Sequence, residues 1–151
     1  MSFGAAAQRG RALPADAPCP CGGGAFGECC GPLLAGEPAA TAEQLMRSRF
    51  TAFSLGDAAH LRATWHPATA PDDLDLAGSS LRWDRLEIID TQNGGVGDRR
   101  GVVEFDAHWT DTATRERGSL HERSRFRHAG GRWFYLDGDI LDGAILDHGD
   151  R

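Results

Sequence analysis

Four cysteines lie between residues 19 and 30, as the pairs Cys19-Pro20-Cys21 and Cys29-Cys30, and the rest of the 151-residue chain has none. A segment this short cannot build a hydrophobic core, so something other than apolar burial must hold it. Neighbouring cysteines rarely orient their Cβ atoms for a disulfide within either pair. Four thiolates arriving as two pairs suit a tetrahedral ion, and Gly22, Gly23 and Gly24 let the intervening loop turn back. These residues predict a structural zinc site on Cys19, Cys21, Cys29 and Cys30. A redox pair, or reduced thiols without metal, are the alternatives. Four protein ligands leave no open coordination position, so hydrolytic zinc chemistry is not expected.

Residues 1–18 lack the continuous apolar run of a secretory signal, and their Gly, Pro and Ala content predicts a disordered lead. The expected compartment is the cytosol, where clustered cysteines bind metal more often than they form disulfides. No run of about 18 apolar residues exists to span a membrane. The net charge is −6 and every cationic side chain is arginine. The absence of lysine excludes Schiff-base chemistry and a P-loop. The acidic balance argues against a nucleic-acid partner, ribosomal RNA included. Much of that acidity, from Asp137 through Asp150, belongs to the end of the chain, where 141–151 reads as an acidic tail.

After a Pro/Ala linker, Thr41 and Gln44 form a helix-start signal, and the helix should run to Ser54 and stop at Gly56. Asp57 caps a second helix expected to reach about Trp65, before Pro67 and Pro71 break the chain. The pattern then alternates as strands: Leu81–Thr91, Gly101–Trp109, Arg115–His128 and Arg132–Gly138, with turns at Asn93-Gly94-Gly95 and Ala129-Gly130-Gly131. Helices first and an antiparallel meander afterwards predict an α+β fold, a knuckle over 19–36 followed by one domain over 41–140.

The segment CPCGGGAFGECCGP resembles the SEC-C motif, which ends the motor ATPase of bacterial protein export and there binds zinc and an export chaperone. Gly23, Ala25 and Glu28 replace the serine and basic residues usual in that loop, which is also one residue shorter here. CPCG…CCGPLLAG, TAEQLMRSRF, TWHPAT, LHERSRF and GRWFYLDG, in this order, resemble the YchJ-like family of uncharacterised bacterial proteins over roughly residues 18–140. That resemblance implies a zinc knuckle followed by a cystatin-like cone of the nuclear transport factor 2-like superfamily, with helices packed on a curved sheet of about four strands. The superfamily hosts isomerases, dehydratases, binders and dimerisation modules, so the fold by itself names no function.

Within the first helix, Ala42, Leu45, Met46, Phe50 and Phe53 form one stripe with Arg49 in its middle, while Arg47 falls on the polar side four residues after Glu43. Arg49 must therefore either snorkel to solvent or meet a buried acceptor or an anion, and Glu122 is its expected partner. In the third strand Leu120, Glu122, Ser124 and Phe126 share the inner face, and His121, Arg123, Arg125 and Arg127 share the outer one. Trp65 and His66 are candidates for the mouth of the cone, and Asp137 for its cap or for the exit turn. His60 is expected on a helix surface, and His108 and His128 alone on strands. Two functions follow. The first is an adaptor, its knuckle docking on a protein partner while the cone forms a homodimer or holds a small ligand. The second is an enzyme moving a proton on a small anionic substrate with Arg49, Glu122 and His66, Ser124 helping to position it.

Overall fold

Thr41 opens the longest helix because its hydroxyl accepts from the Gln44 amide at 3.1 Å while the Gln44 side chain accepts from the Ala40 amide at 2.9 Å. The reciprocal bond reaches one residue further back than in the usual capping box. In the computed structural model, which describes residues 10–74, 76 and 78–142, three helices precede four strands. They are α1 (Cys30–Leu34), α2 (Ala42–Leu55) and α3 (Ala58–Ala63), with a single 3-10 turn over Phe26–Glu28. The strands are β1 (Leu81–Asn93), β2 (Arg100–Asp111), β3 (Arg117–Ala129) and β4 (Arg132–Asp142), antiparallel in the order β1-β2-β3-β4. The fold is the expected α+β cone, with α2 across the inner face of an open sheet.

Gly56 ends α2 in the left-handed conformation, φ 77°, and the Asp57 side chain accepts from the His60 amide to start α3. Gly130 and Gly131 take φ of 59° and 84°, which suits a two-residue hairpin between β3 and β4. Strict alternation buries Val103, Phe105 and Ala107 on β2. They meet Leu45, Met46 and Phe50 of α2, Leu86 of β1, Phe126 of β3 and Trp133 of β4 in one cluster. Cys19, Cys21 and Cys30 belong to that same cluster. The knuckle is thus built onto the cone rather than tethered beside it.

Three local expectations are corrected. The second helix stops at Ala63, short of Trp65, because the next residues pair with β4: the Tyr135 amide donates to Thr64 O and the His66 amide to Tyr135 O, both at 2.8 Å. The last strand does not end at Gly138 but continues to Asp142, held by pairing of Glu122 with Ile140 and of His121 with Asp142. The lead predicted as disordered is ordered over residues 10–18. Arg11 donates to Leu55 O and Ser54 O, and the amides of Phe26 and Gly27 close on Ala17 O and Ala15 O. Backbone pairing supplies there what composition could not reveal. Residues 1–9 of that lead, and 143–151 of the expected acidic tail, lie outside the described residues.

Candidate functional site

The cysteine loop closes on its own backbone before any side chain acts, through Cys19 N to Gly24 O at 2.7 Å and Gly22 N to Cys19 O at 2.9 Å. The four sulfurs are then brought within 4.8 Å of one another, and Cys21 Sγ lies 3.4 Å from Cys29 Sγ. All four cysteines are free, with no disulfide between them. A tetrahedron of sulfurs around an ion with about 2.3 Å bonds has edges of about 3.8 Å, so this spacing fits one. The Gly23 backbone sits directly against the sulfurs: a Cβ there would lie 2.8 Å from Cys29 Sγ and 3.3 Å from Cys21 Sγ.

The electrostatics of the cluster also ask for a cation. Hydrogen bonds from the Cys21 and Cys30 thiols hold Cys19 far below the usual thiol range. Donating to Cys19 pushes Cys30 strongly up, and burial together with Cys21 pushes Cys29 up to about 12. Without a cation, the first thiolate keeps its neighbours protonated. A bound ion would let all four ionise. Two residues of α2 complete the surroundings. The fully buried Thr51 hydroxyl donates to Cys30 Sγ at 3.3 Å, and Arg47, paired with Glu43 as expected, also donates to Cys21 O at 3.0 Å.

On the sheet side of α2 lies a cavity of about 170 Å³. Arg49, Glu122, Ser124 and Tyr135 are its polar lining residues, and aromatic rings, Trp65 among them, form most of its walls. Arg49 is only 3% exposed, yet no carboxylate lies within 4.0 Å of it among the described residues. Its Nη1 donates to Leu61 O at 2.9 Å and Thr64 Oγ1 at 2.7 Å. Its guanidinium carbon stands 4.9 Å from the Trp65 ring centre and 4.6 Å from that of Tyr135. Burial lowers its pKa to about 10, which leaves it charged at neutral pH.

The expected Arg49–Glu122 ion pair is therefore absent. Arg49 stacks on the face of the Tyr135 ring, and Glu122 Oε2 accepts instead from Ser124 Oγ at 2.8 Å and from the Tyr135 hydroxyl at 3.2 Å. Burial, then the Glu122 charge, push the Tyr135 phenol above its ordinary range, so it remains a neutral donor. Gly138 makes room for this arrangement, because a Cβ there would collide with the Glu122 carboxylate. Sequence reasoning missed Tyr135, whose only signal was its place in the apolar run of β4.

Two candidates lie elsewhere. His66 does not line the cavity; its Nδ1 accepts from the Ala68 amide at 3.0 Å and its ring packs edge-on against Phe134. Asp137 neither caps the pocket nor begins a turn: it sits within β4 and pairs with Arg125 on the outer face. There Arg123 and His121 also meet Glu104, so Arg123 and Arg125 of that face are ion-paired, while Arg127 is in no ion pair among the described residues. His108 is not alone, since cross-strand register brings it to 2.8 Å from Glu87, beside Asp106. Glu87 is exposed, Asp106 and His108 are half-buried, and Glu87 also engages Arg85, so the trio reads as surface pairing. His128 packs on Trp133.

His60 is buried, not on the helix surface, and its Nε2 lies 2.9 Å from Ser48 Oγ. Ser48 itself donates to Leu45 O, so the imidazole is the donor. Burial, and next the Arg49 charge, lower His60 to about 4 from 6.5. The unfolded chain binds this proton below about pH 6.5 and the folded one only near pH 4. Stability should therefore fall as pH drops across that window, by about 3 kcal/mol from this residue. His60→Gln keeps a donor for Ser48 and cannot titrate. Denaturant unfolding of both proteins at pH 7 and pH 4.5 should show a smaller loss in the variant, and equal losses would refute the assignment.

The family described as YchJ, middle NTF2-like domain, matches residues 41–138. This chain belongs to the YchJ-like family. A UPF0225 protein of Streptomyces coelicolor is 49% identical over 127 residues, covering 83% of this chain and 97% of its own length. One from Ralstonia nicotianae is 46% identical over 145 residues, covering 86% and 98%. Among solved structures, a SEC-C motif containing protein from Rhodopseudomonas palustris superposes with a TM-score of 0.72 at 35% identity, covering 83% of this chain and all of its own. A second, from Psychrobacter arcticus, gives 0.61 at 26% identity, covering 92% and 83%. The SEC-C resemblance of the cysteine segment thus extends to the family's solved folds. No helix among the described residues is long and apolar enough to cross a membrane.

Proposed function

We propose that this member of the YchJ-like family is a cytosolic small-molecule-binding protein whose cone holds a small organic anion and whose knuckle is a structural zinc site. The observation that carries the reading is Arg49: a buried guanidinium without a carboxylate partner among the described residues, lining a cavity. A buried cation without a counter-ion is costly, and a bound anion would remove that cost. Zinc is supported by four clustered thiols, enough to fill a tetrahedral shell by themselves. The knuckle's Phe26, Leu33 and Leu34 pack against the cone core, which favours the cavity over the knuckle as the binding surface.

Protein purified under reducing conditions without added metal should contain one zinc per chain; less than about half occupancy would sink the zinc assignment. NMR titration of the zinc-loaded protein with benzoate should shift the Trp65 indole and the inner face of α2. Benzyl alcohol, neutral and of similar size, should bind at least about tenfold more weakly. Equal binding of the two would overturn the anion reading. A second reading, proton transfer by Glu122 on the bound anion, draws on its position at the cavity with Ser124 and Tyr135. Enzyme-dependent exchange of deuterium from solvent into a bound carbon acid would establish it, and its absence across carbon acids that bind would remove it.

A further inference from the structure

The cavity carries two polar ends with unused capacity, one a donor and one an acceptor. Arg49 makes both of its hydrogen bonds through Nη1. Its Nε and Nη2 have no partner, and they are not among the sealed polar atoms, which are Trp65 Nε1, Trp109 Nε1 and Arg127 Nε. They remain reachable, and for a residue this buried the cavity it lines is the route of access. At the other end, Glu122 Oε2 takes both available hydroxyls, while Oε1 accepts nothing among the described residues. The Tyr135 ring spaces the two groups: Arg49 stands over its face at 4.6 Å and Glu122 bonds to its hydroxyl. Phe50, Phe53, Trp83, Phe105 and Leu120 also line the cavity. A volume of about 170 Å³ is that of a single-ring ligand, since an apolar cavity of about 150 Å³ takes up benzene.

We propose that the occupant is a monocyclic aromatic carboxylate bearing a ring hydroxyl, its carboxylate on Arg49 and its hydroxyl donating to Glu122 Oε1. The proposal rests on the anion reading above and specifies its ligand. A second carboxylate at the far end would face Glu122 and be repelled, so the site selects a donor there. Aromatic walls favour a planar ring over a flexible chain of equal volume, because the ring has less freedom to lose on binding.

Calorimetric titration of the zinc-loaded protein with benzoate, 3- and 4-hydroxybenzoate, terephthalate and phenol tests this. At least one hydroxybenzoate should bind about tenfold or more tighter than benzoate, as expected for a hydrogen bond to a charged acceptor. Terephthalate should bind more weakly than benzoate. Glu122→Gln should shrink the ratio of hydroxybenzoate to benzoate affinity. Benzoate binding as tightly as both hydroxybenzoates would overturn this inference and leave the anion reading standing. Phenol binding as tightly as every carboxylate would overturn the anion reading itself, and no binding of any probe would overturn both. The ligand series uses the wild-type protein, so it decides between these outcomes even where Glu122→Gln fails to fold.

Discussion

Cys30→Ser, or removal of metal from the native protein by a chelator, is expected to destabilise the whole chain by several kcal/mol. Structural zinc contributes roughly 10–16 kcal/mol of apparent binding energy in small zinc-finger peptides, and that energy is folding energy. The full value is not expected here, because the cone retains its own apolar core. The loss should nevertheless reach the cone, since Cys19, Cys21 and Cys30 pack in one cluster with Phe50, Phe126 and Trp133. Cys30 is 1% exposed and receives the Thr51 hydroxyl, so serine also leaves a buried hydroxyl in place of a ligand. Guanidinium unfolding followed by tryptophan fluorescence should show one transition that moves to lower denaturant in both cases. Chelation that leaves the midpoint unchanged would show that the cluster does not depend on metal. A cone transition unmoved while the knuckle is lost would show that the two fold separately.

Arg49→Met should separate binding from stability. Methionine keeps a similar reach and removes the charge, two hydrogen bonds to Leu61 O and Thr64 Oγ1, and the stacking on Trp65 and Tyr135. Those losses are opposed by relief of burying a guanidinium that lacks a carboxylate partner, so the net change in stability should stay within about 2 kcal/mol. Affinity for benzoate should fall about 10- to 150-fold, the scale of a lost charge-assisted hydrogen bond. Arg49→Lys should lie between the two, because an ammonium keeps the charge and loses the planar fork and the stacking. Calorimetry and thermal unfolding on the three proteins check this. Unchanged benzoate affinity in Arg49→Met would remove Arg49 from the site.

The helix starts and stops were legible because they are local chemistry: Thr41 with Gln44, Gly56, and Asp57 act within a few residues of the bonds they make. The strand faces were legible for the same reason, since a period of two places Glu122 and Ser124 together whatever the rest of the fold does. What failed depended on partners distant in sequence. The early end of α3 is set by pairing of residues 64–66 with Tyr135, and the ordered stretch 10–18 by bonds to Leu55 and to the cysteine loop. His60 was expected on a helix surface and is buried, with Ser48 of the neighbouring helix against it.

The sequence by itself determined that four cysteines would gather at one point, that Arg49 would fall in the apolar stripe of its helix, and that helices would cross a four-stranded meander. Each follows from spacing and periodicity, which the backbone obeys over short range. Only the tertiary structure decided that Arg49 has no carboxylate beside it. Strand register and the close approach of residues 64–66 to β4 bring Tyr135 against both Arg49 and Glu122, and Gly138 leaves space for the carboxylate beside Ser124. The cysteines changed meaning in the same way. Their pairing pattern predicts a metal site, but it is burial against Thr51 and Phe50 of α2 that makes the knuckle part of the cone's core.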